Sequence, residues 1–137
     1  GVKDSSGDLT IFSEMIRLCP PGFKAIMGRD TLIFAALVHG GAGAIAATAN
    51  VAPRLVVEIY EAFISGDLER AKNAQMALAP LRMAFGLGTF PVVVKEALEI
   101  MGIAPGRCRG PVGPLSEAAR EKLRKILGQM GLLHQRQ

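Results

Sequence analysis

Tryptophan is absent from this chain and tyrosine occurs once, in 137 residues of which 16 are glycine. That scarcity disfavours a ligand site walled by aromatic rings and favours close packing of small residues. Soft metal ligands are as rare. Cys19 and Cys108 lie far apart and outside any CxxC pattern, and His39 and His134 stand alone. A structural zinc site needs a cluster of such ligands, so no metal is expected. Isolated thiols suit a reducing cytoplasm, which is the expected location.

Charge is sparse too. Half of the residues are hydrophobic and 20% are charged, which marks a globular chain long enough for one ordinary core. The net charge of +4 raises the question of nucleic acid. The basic residues, however, are dispersed beside acids on helical stretches such as "SEAAREKLRKIL", and "GRCRG" lacks interleaved aromatics. Without a continuous basic stripe, nucleic acid is not an expected partner.

One long uncharged run stands out, "TLIFAALVHGGAGAIAATANVAP", between Asp30 and Arg54. A membrane-spanning helix needs about 20 apolar residues, so its length would suffice. His39 in the middle, the "GGAG" interruption and the helix-start signal at its end argue instead for buried α/β elements. No membrane association is expected.

The first part of the chain repeats one pattern: a short apolar run, a polar or glycine turn, then an amphipathic stretch. "GVK" leads through "DSSGD" into the helix "LTIFSEMIRLC", stopped by "PPG". "FKAIM", "GRD" and the helix "TLIFAALVHGG" form the second unit. "GAIAA", "TAN" and "VAPRLVVEIYEAFISG" form the third, with Pro53 in the first helical turn and Gly66 at the end. Strands recurring roughly 20 residues apart with intervening helices imply a parallel sheet with right-handed crossovers. The remainder reads as helices: "DLERAKNAQMALAPLRMAF" with a kink or break at Pro80, "FPVVVKEALEIMG", and a last helix with Ser116 as N-cap. "IAPGRCRGPVGPL" is a connector. A (β/α)8 barrel takes about 250 residues, and this chain starts inside a strand without methionine. It therefore reads as the back part of a longer enzyme, with a small open three-stranded sheet as the alternative.

In parallel α/β folds the functional face lies at the C-terminal ends of the strands. That rule gathers Lys3 and Asp4, then Gly28, Arg29 and Asp30, then Ala47, Thr48 and Asn50. Lys3 is the one lysine at a strand end. On a surface it would be a solvated charge. Inside a barrel it would be desolvated, and its freed lone pair could attack a ketone to give an iminium ion. Asp30 reads as the N-cap of the next helix or as a group that binds hydroxyls. Gly28 gives either a tight turn or backbone left bare for a ligand carboxylate. Asn50 reads as a cap or turn residue. "GAGAIA" matches a dinucleotide fingerprint, but it follows a helix and enters a strand, the reverse of the required context. Tyr60 lies in mid-helix and is assigned no catalysis.

The ordered set "GVKDSSGDL", "MGRD" and "GGAGAIAATANVAP", with "FPVVVKEAL" and "GPLSEAAREKLRKIL" behind it, resembles the dihydrodipicolinate synthase / N-acetylneuraminate lyase family. The resemblance implies an α/β fold: the last three βα units of a (β/α)8 TIM barrel in residues 1–66, then a C-terminal helical domain in residues 67–137. It implies that Lys3 is the Schiff-base nucleophile and that no cofactor is needed. The expected substrates are pyruvate or another 2-keto acid and an aldehyde co-substrate, and the expected assembly is a homodimer or homotetramer. Gly28 and Asp30 match positions near the substrate, and Ile45 matches the residue whose backbone carbonyl faces the nucleophile. The family's acid/base tyrosine, its proton-shuttling Thr and Tyr, its carboxylate loop and its substrate arginine would belong to a front half. "TANVAP" is the form common in dihydrodipicolinate synthases. "GTFPVVVKEAL" and Arg29 depart from their usual pattern and keep 2-keto-3-deoxy sugar acid aldolases and dehydratases in view. Ala47 and Thr31 disfavour sialic acid. A catalytically incomplete chain serving assembly alone is the rival from another class.

Overall fold

The computed structural model describes residues 1–104 and 106–133; His134 lies outside them. Strand β1 is Val2–Asp4, helix α1 Leu9–Leu18, β2 Ala25–Met27, α2 Ile33–Val38 and β3 Gly43–Ala44. Helices α3 (Pro53–Ile64), α4 (Leu68–Ala84), α5 (Val92–Ile100) and α6 (Glu117–Gln129) follow. The sheet is parallel in the order β1-β2-β3, as the repeating pattern implied.

Local chemistry explains most boundaries. Asp8 caps α1 by accepting the N–H groups of Thr10 and Ile11 at 2.8 and 3.2 Å, satisfying donors that the helix cannot. Pro53 occupies the first turn of α3, and Gly66, at φ +82°, ends it. Ser116 caps α6 by accepting the Ala119 N–H at 3.3 Å.

Three expectations need revision. The "TLIFAALVHGG" helix opens as a 3-10 turn over Asp30–Leu32, and only Ile33–Val38 is α-helical. The third strand is Gly43–Ala44 rather than all of "GAIAA", although Ala42 and Ile45 also donate their N–H groups to Ala25 and Met27 carbonyls. Finally, Pro80 does not break α4, which runs from Leu68 to Ala84. Proline in a helix interior costs about 3 kcal/mol. Leu78 and Leu81 on either side of it are fully buried, while Pro80 itself faces solvent. Burying each leucine stabilises by about 1.5–3 kcal/mol, so packing holds the helix together.

The uncharged run is divided among α2, β3, a 3-10 turn at Ala47–Asn50 and the start of α3. Among the described residues no single helix is long and apolar enough to cross a membrane. One pair, Leu68–Leu87 with Val92–Ile100, passes on length and composition alone but is bent by 116°.

Two clusters form the core. Phe12, Ala25, Met27 and Ala36 pack between the sheet and helices α1 and α2. The larger cluster draws on both sides of Gly66, joining Leu37, Val51 and Ile59 to Leu78, Val92 and Leu123. Glu96 fastens its far end. Its side chain is buried and accepts the Leu115 N–H at 2.7 Å and an Arg120 N–H at 2.5 Å. Because Leu123 is fully buried in the larger cluster, Leu123→Ala is expected to lower unfolding free energy by about 2–5 kcal/mol in urea titration. Ser116→Ala is expected to cost about 1 kcal/mol through the lost cap.

Candidate active site

The sheet register decides which side chains share a face. Lys3 pairs with Ile26, and Asp4 with Met27, which pairs in turn with Ala44. Successive strand residues point to opposite faces. Ala25, Met27 and Ala44 pack towards the helices, so Lys3, Ile26, Gly28 and Ile45 belong to the other, open face. Ile45 is 55% exposed there.

At the end of β1 the chain turns tightly. The Asp4 carboxylate accepts the Ser6 N–H at 3.0 Å and the Ser6 hydroxyl at 2.9 Å, and Ser6 Oγ accepts the Asp8 N–H at 3.1 Å. This ladder runs from the strand end to the N-cap of α1, so "DSSGD" is a self-bonded turn. It fixes the exit of the strand one residue after Lys3.

Gly28 completes the site by having no side chain. Its N–H donates to the Asp4 carbonyl at 2.6 Å. A Cβ at Gly28 would lie 2.7 Å from Lys3 Cε and 2.9 Å from Asp4 O, and would run into Ser5 Oγ. The lysine stem therefore passes directly over bare backbone, a close approach that only glycine permits.

Lys3 itself is exposed. The desolvation expected for a lysine inside a barrel is not supplied here, because three strands flank the side chain without surrounding it. Asp30 also differs from its reading as the N-cap of its own helix. Arg29 holds that position and makes no side-chain cap bond. The Asp30 side chain is buried, with Oδ2 accepting the Thr48 N–H at 2.7 Å, so it caps the turn after β3. The structure thus brings Lys3, Gly28 and Ile45 together on the open face and sets Asp30 among the loops behind it.

Other residues fall into plainer places. Asn50 donates from Nδ2 to the Ala47 carbonyl at 3.0 Å, a turn residue as read. Residues 41–46 leave α2 and enter β3, which is not the strand-then-helix context of a dinucleotide fingerprint. Tyr60 is on α3, 41% exposed. His39 Nδ1 lies 2.7 Å from Ser13 Oγ. Among the described residues no group of His, Cys, Asp or Glu is placed to hold a metal ion.

Sequence reading missed Ser5, whose hydroxyl crowds Gly28, and Gln75, whose Nε2 donates to the Asp30 carbonyl at 2.9 Å. Ser5 stands within the "DSSGD" turn, where nothing local points to this contact, and no local pattern marks Gln75. Gln75 is separated from Asp30 by 45 positions and reads as one polar residue in a helix.

Two substitutions probe this geometry. Gly28→Ala is expected to displace the Lys3 side chain and to destabilise by about 1–3 kcal/mol, as overpacking does; wild-type stability with an unmoved Lys3 resonance would contradict the close approach. Thr48 Oγ1 is buried with no hydrogen-bond partner among the described residues. Thr48→Val should therefore leave stability unchanged or raise it by about 1 kcal/mol in chemical denaturation. A loss of similar size would mean that the hydroxyl has a partner.

Comparison with known proteins bears on the same residues. Residues 1–130 match the model of the Dihydrodipicolinate synthetase family. A 4-hydroxy-tetrahydrodipicolinate synthase of Archaeoglobus fulgidus is 41% identical over 133 residues, covering 97% of this chain and 46% of that protein. The crystal structure of dihydrodipicolinate synthase from Thermotoga maritima superposes with a TM-score of 0.92 at 34% identity, covering 97% of this chain and 46% of that one. A prophage protein of the dihydrodipicolinic acid synthase family from E. coli K12, solved in complex with pyruvate, gives 0.90 at 31%, covering 96% and 46%. The chain thus spans about half the length of the relatives it matches. With the family match running unbroken from β1 into α6, the chain belongs to the dihydrodipicolinate synthetase family.

Proposed function

We propose that this chain carries the imine-forming part of a class I, pyruvate-dependent carbon–carbon lyase, with Lys3 as the covalent nucleophile. Its architecture is read as the last three βα units of a (β/α)8 TIM barrel in residues 1–66, followed by a C-terminal helical domain in residues 67–137. The activity favoured is that of a 4-hydroxy-tetrahydrodipicolinate synthase, which condenses pyruvate with aspartate semialdehyde in lysine biosynthesis. Curated relatives bearing that name support it. A structural relative solved with pyruvate supports a pyruvyl substrate.

The observation that carries the reading is the close passage of the Lys3 stem over Gly28, on the face shared with Ile45. The neutral Lys3 amine adds to the ketone carbon of pyruvate, forming a C–N bond and a carbinolamine. Protonation of its hydroxyl releases water and leaves an iminium ion. The iminium takes up the electron pair left when the adjacent methyl group loses a proton, giving an enamine. The enamine carbon then bonds to the aldehyde carbon, whose C=O electron pair moves to oxygen and takes up a proton. Attack on the regenerated iminium by water or an amine of the product frees Lys3. Gly28 admits the Lys3 stem against its bare backbone, Ile45 offers its backbone carbonyl, and Asp30 keeps the turn after β2 in place.

Each proton transfer wants a positioned acid or base, typically contributing about 10²–10⁴-fold. Tyr60 lies on α3 and is given no part in these transfers. The chain alone is expected to form the imine and not to turn over. Assembly as a homodimer or homotetramer and a cytoplasmic location belong to the same proposal. A second reading, a 2-keto-3-deoxy sugar acid aldolase or dehydratase, rests on Arg29 and on "GTFPVVVKEAL". It shares the Lys3 chemistry and differs in the aldehyde or, for a dehydratase, in losing water with no carbon–carbon step.

Incubation with pyruvate and borohydride, followed by peptide mass mapping, tests the nucleophile. The expected result is one reduced adduct on the peptide containing Lys3, absent from a folded Lys3→Ala variant. Equal labelling of that variant would overturn the assignment. An inert, self-associating chain would favour a role in assembly alone.

A further inference from the structure

Gln75 sits in the middle of α4 with 5% of its surface exposed. The small residues Ala71 and Ala74, both buried, let this stretch of helix approach the turn that follows β2. Both ends of the Gln75 amide are used there. Nε2 donates to the Asp30 carbonyl at 2.9 Å, and Oε1 accepts the Phe34 N–H at 3.0 Å. Phe34 lies in the first turn of α2, where N–H groups have no acceptor within the helix.

Asp30 is gripped from its other end as well, since its carboxylate accepts the Thr48 N–H at 2.7 Å. One residue thereby joins α4 to the turns after β2 and β3. Two positions earlier in the chain stands Gly28, tied to Asp4 by its N–H and crowded by the Lys3 stem. The clearance is smaller than a methyl group. A small movement of this turn either presses on the Lys3 side chain or opens a gap beneath it.

We propose that Gln75 is a positioning residue of the imine site: by holding Asp30 it sets Gly28 against Lys3. Helix α4 then acts on the reactivity of an amine that it does not touch. The proposal rests on the reading of Lys3 as nucleophile, and its test separates the two.

Three forms of the full chain are compared: wild type, Gln75→Met and Leu78→Ala. The methionine keeps the bulk of Gln75 and lacks its amide. Leu78 is fully buried on the same helix, so its truncation loosens packing without touching these hydrogen bonds. Amide exchange at Gly28 and Thr48, melting temperature, and the rate of pyruvate–borohydride trapping at Lys3 are measured on each.

Gln75→Met is expected to speed exchange at Gly28 and Thr48 by about 10-fold more than Leu78→Ala does. It is also expected to slow trapping by about 10-fold, the scale of a misplaced reacting group. Leu78→Ala should lower the melting temperature at least as far while changing trapping little. Trapping and exchange that follow the melting temperature alike in both variants would overturn the proposal and leave Gln75 a purely structural residue. If wild type takes no pyruvate, the Lys3 reading fails by itself, and the exchange rates alone decide whether Gln75 holds the turn. Should Gln75→Met not fold, Gln75→Glu replaces it, keeping an acceptor for the Phe34 N–H and losing the amide donor to Asp30.

Discussion

The hydrogen bond from the Gly28 N–H to the Asp4 carbonyl, 2.6 Å long, is the constraint on which the site depends. It carries the pairing of β1 and β2 one step beyond the paired residues. That step brings the backbone after β2 under the side chain of Lys3. A side chain at position 28 would collide with the lysine stem and with Asp4 itself, so this bond and a larger residue exclude each other. The rest of the fold supports it. The Asp4–Ser6–Asp8 ladder holds one strand exit, and Asp30, tied to Thr48 and Gln75, holds the other.

The βα units and the later helices meet in the core. The larger hydrophobic cluster contains residues from both, so α4 packs on the helices and turns of the βα units. Burial there is extensive enough to keep a proline within a continuous helix. The open face has no such cover. Lys3 and Ile45 are exposed, and among the described residues β1 and β3 have no strand on their outer sides. Exposed strand edges and apolar surface are liabilities that folds usually cover. Lys3 and Ile45 lie on the face on which the chemistry is proposed.

Much of this was legible in the sequence because the signals are local. Alternation of short apolar runs with amphipathic stretches gave the parallel order, and Asp8, Pro53, Gly66 and Ser116 are punctuation that acts within one turn of chain. Lys3 and Gly28 were legible as strand-end residues on one rim. What stayed hidden depends on distance. Asp30 caps a turn 18 positions away, Gln75 reaches 45 positions back to it, and His39 meets Ser13 across 26. Pro80 reads locally as a kink or a break. The break is absent because the burial of Leu78 and Leu81, which is not visible locally, holds the helix together. Enclosure of Lys3 is likewise no local property, since it depends on the strands around it.

The most direct measurement is a crystal structure of the chain after reduction with pyruvate. The expected result is continuous density from Lys3 Nζ to the former ketone carbon, with the adduct on the sheet face shared by Gly28 and directed towards Ile45. An unmodified Lys3 beside a modified lysine elsewhere, or pyruvate bound away from Gly28, would contradict the assignment of this face as the site.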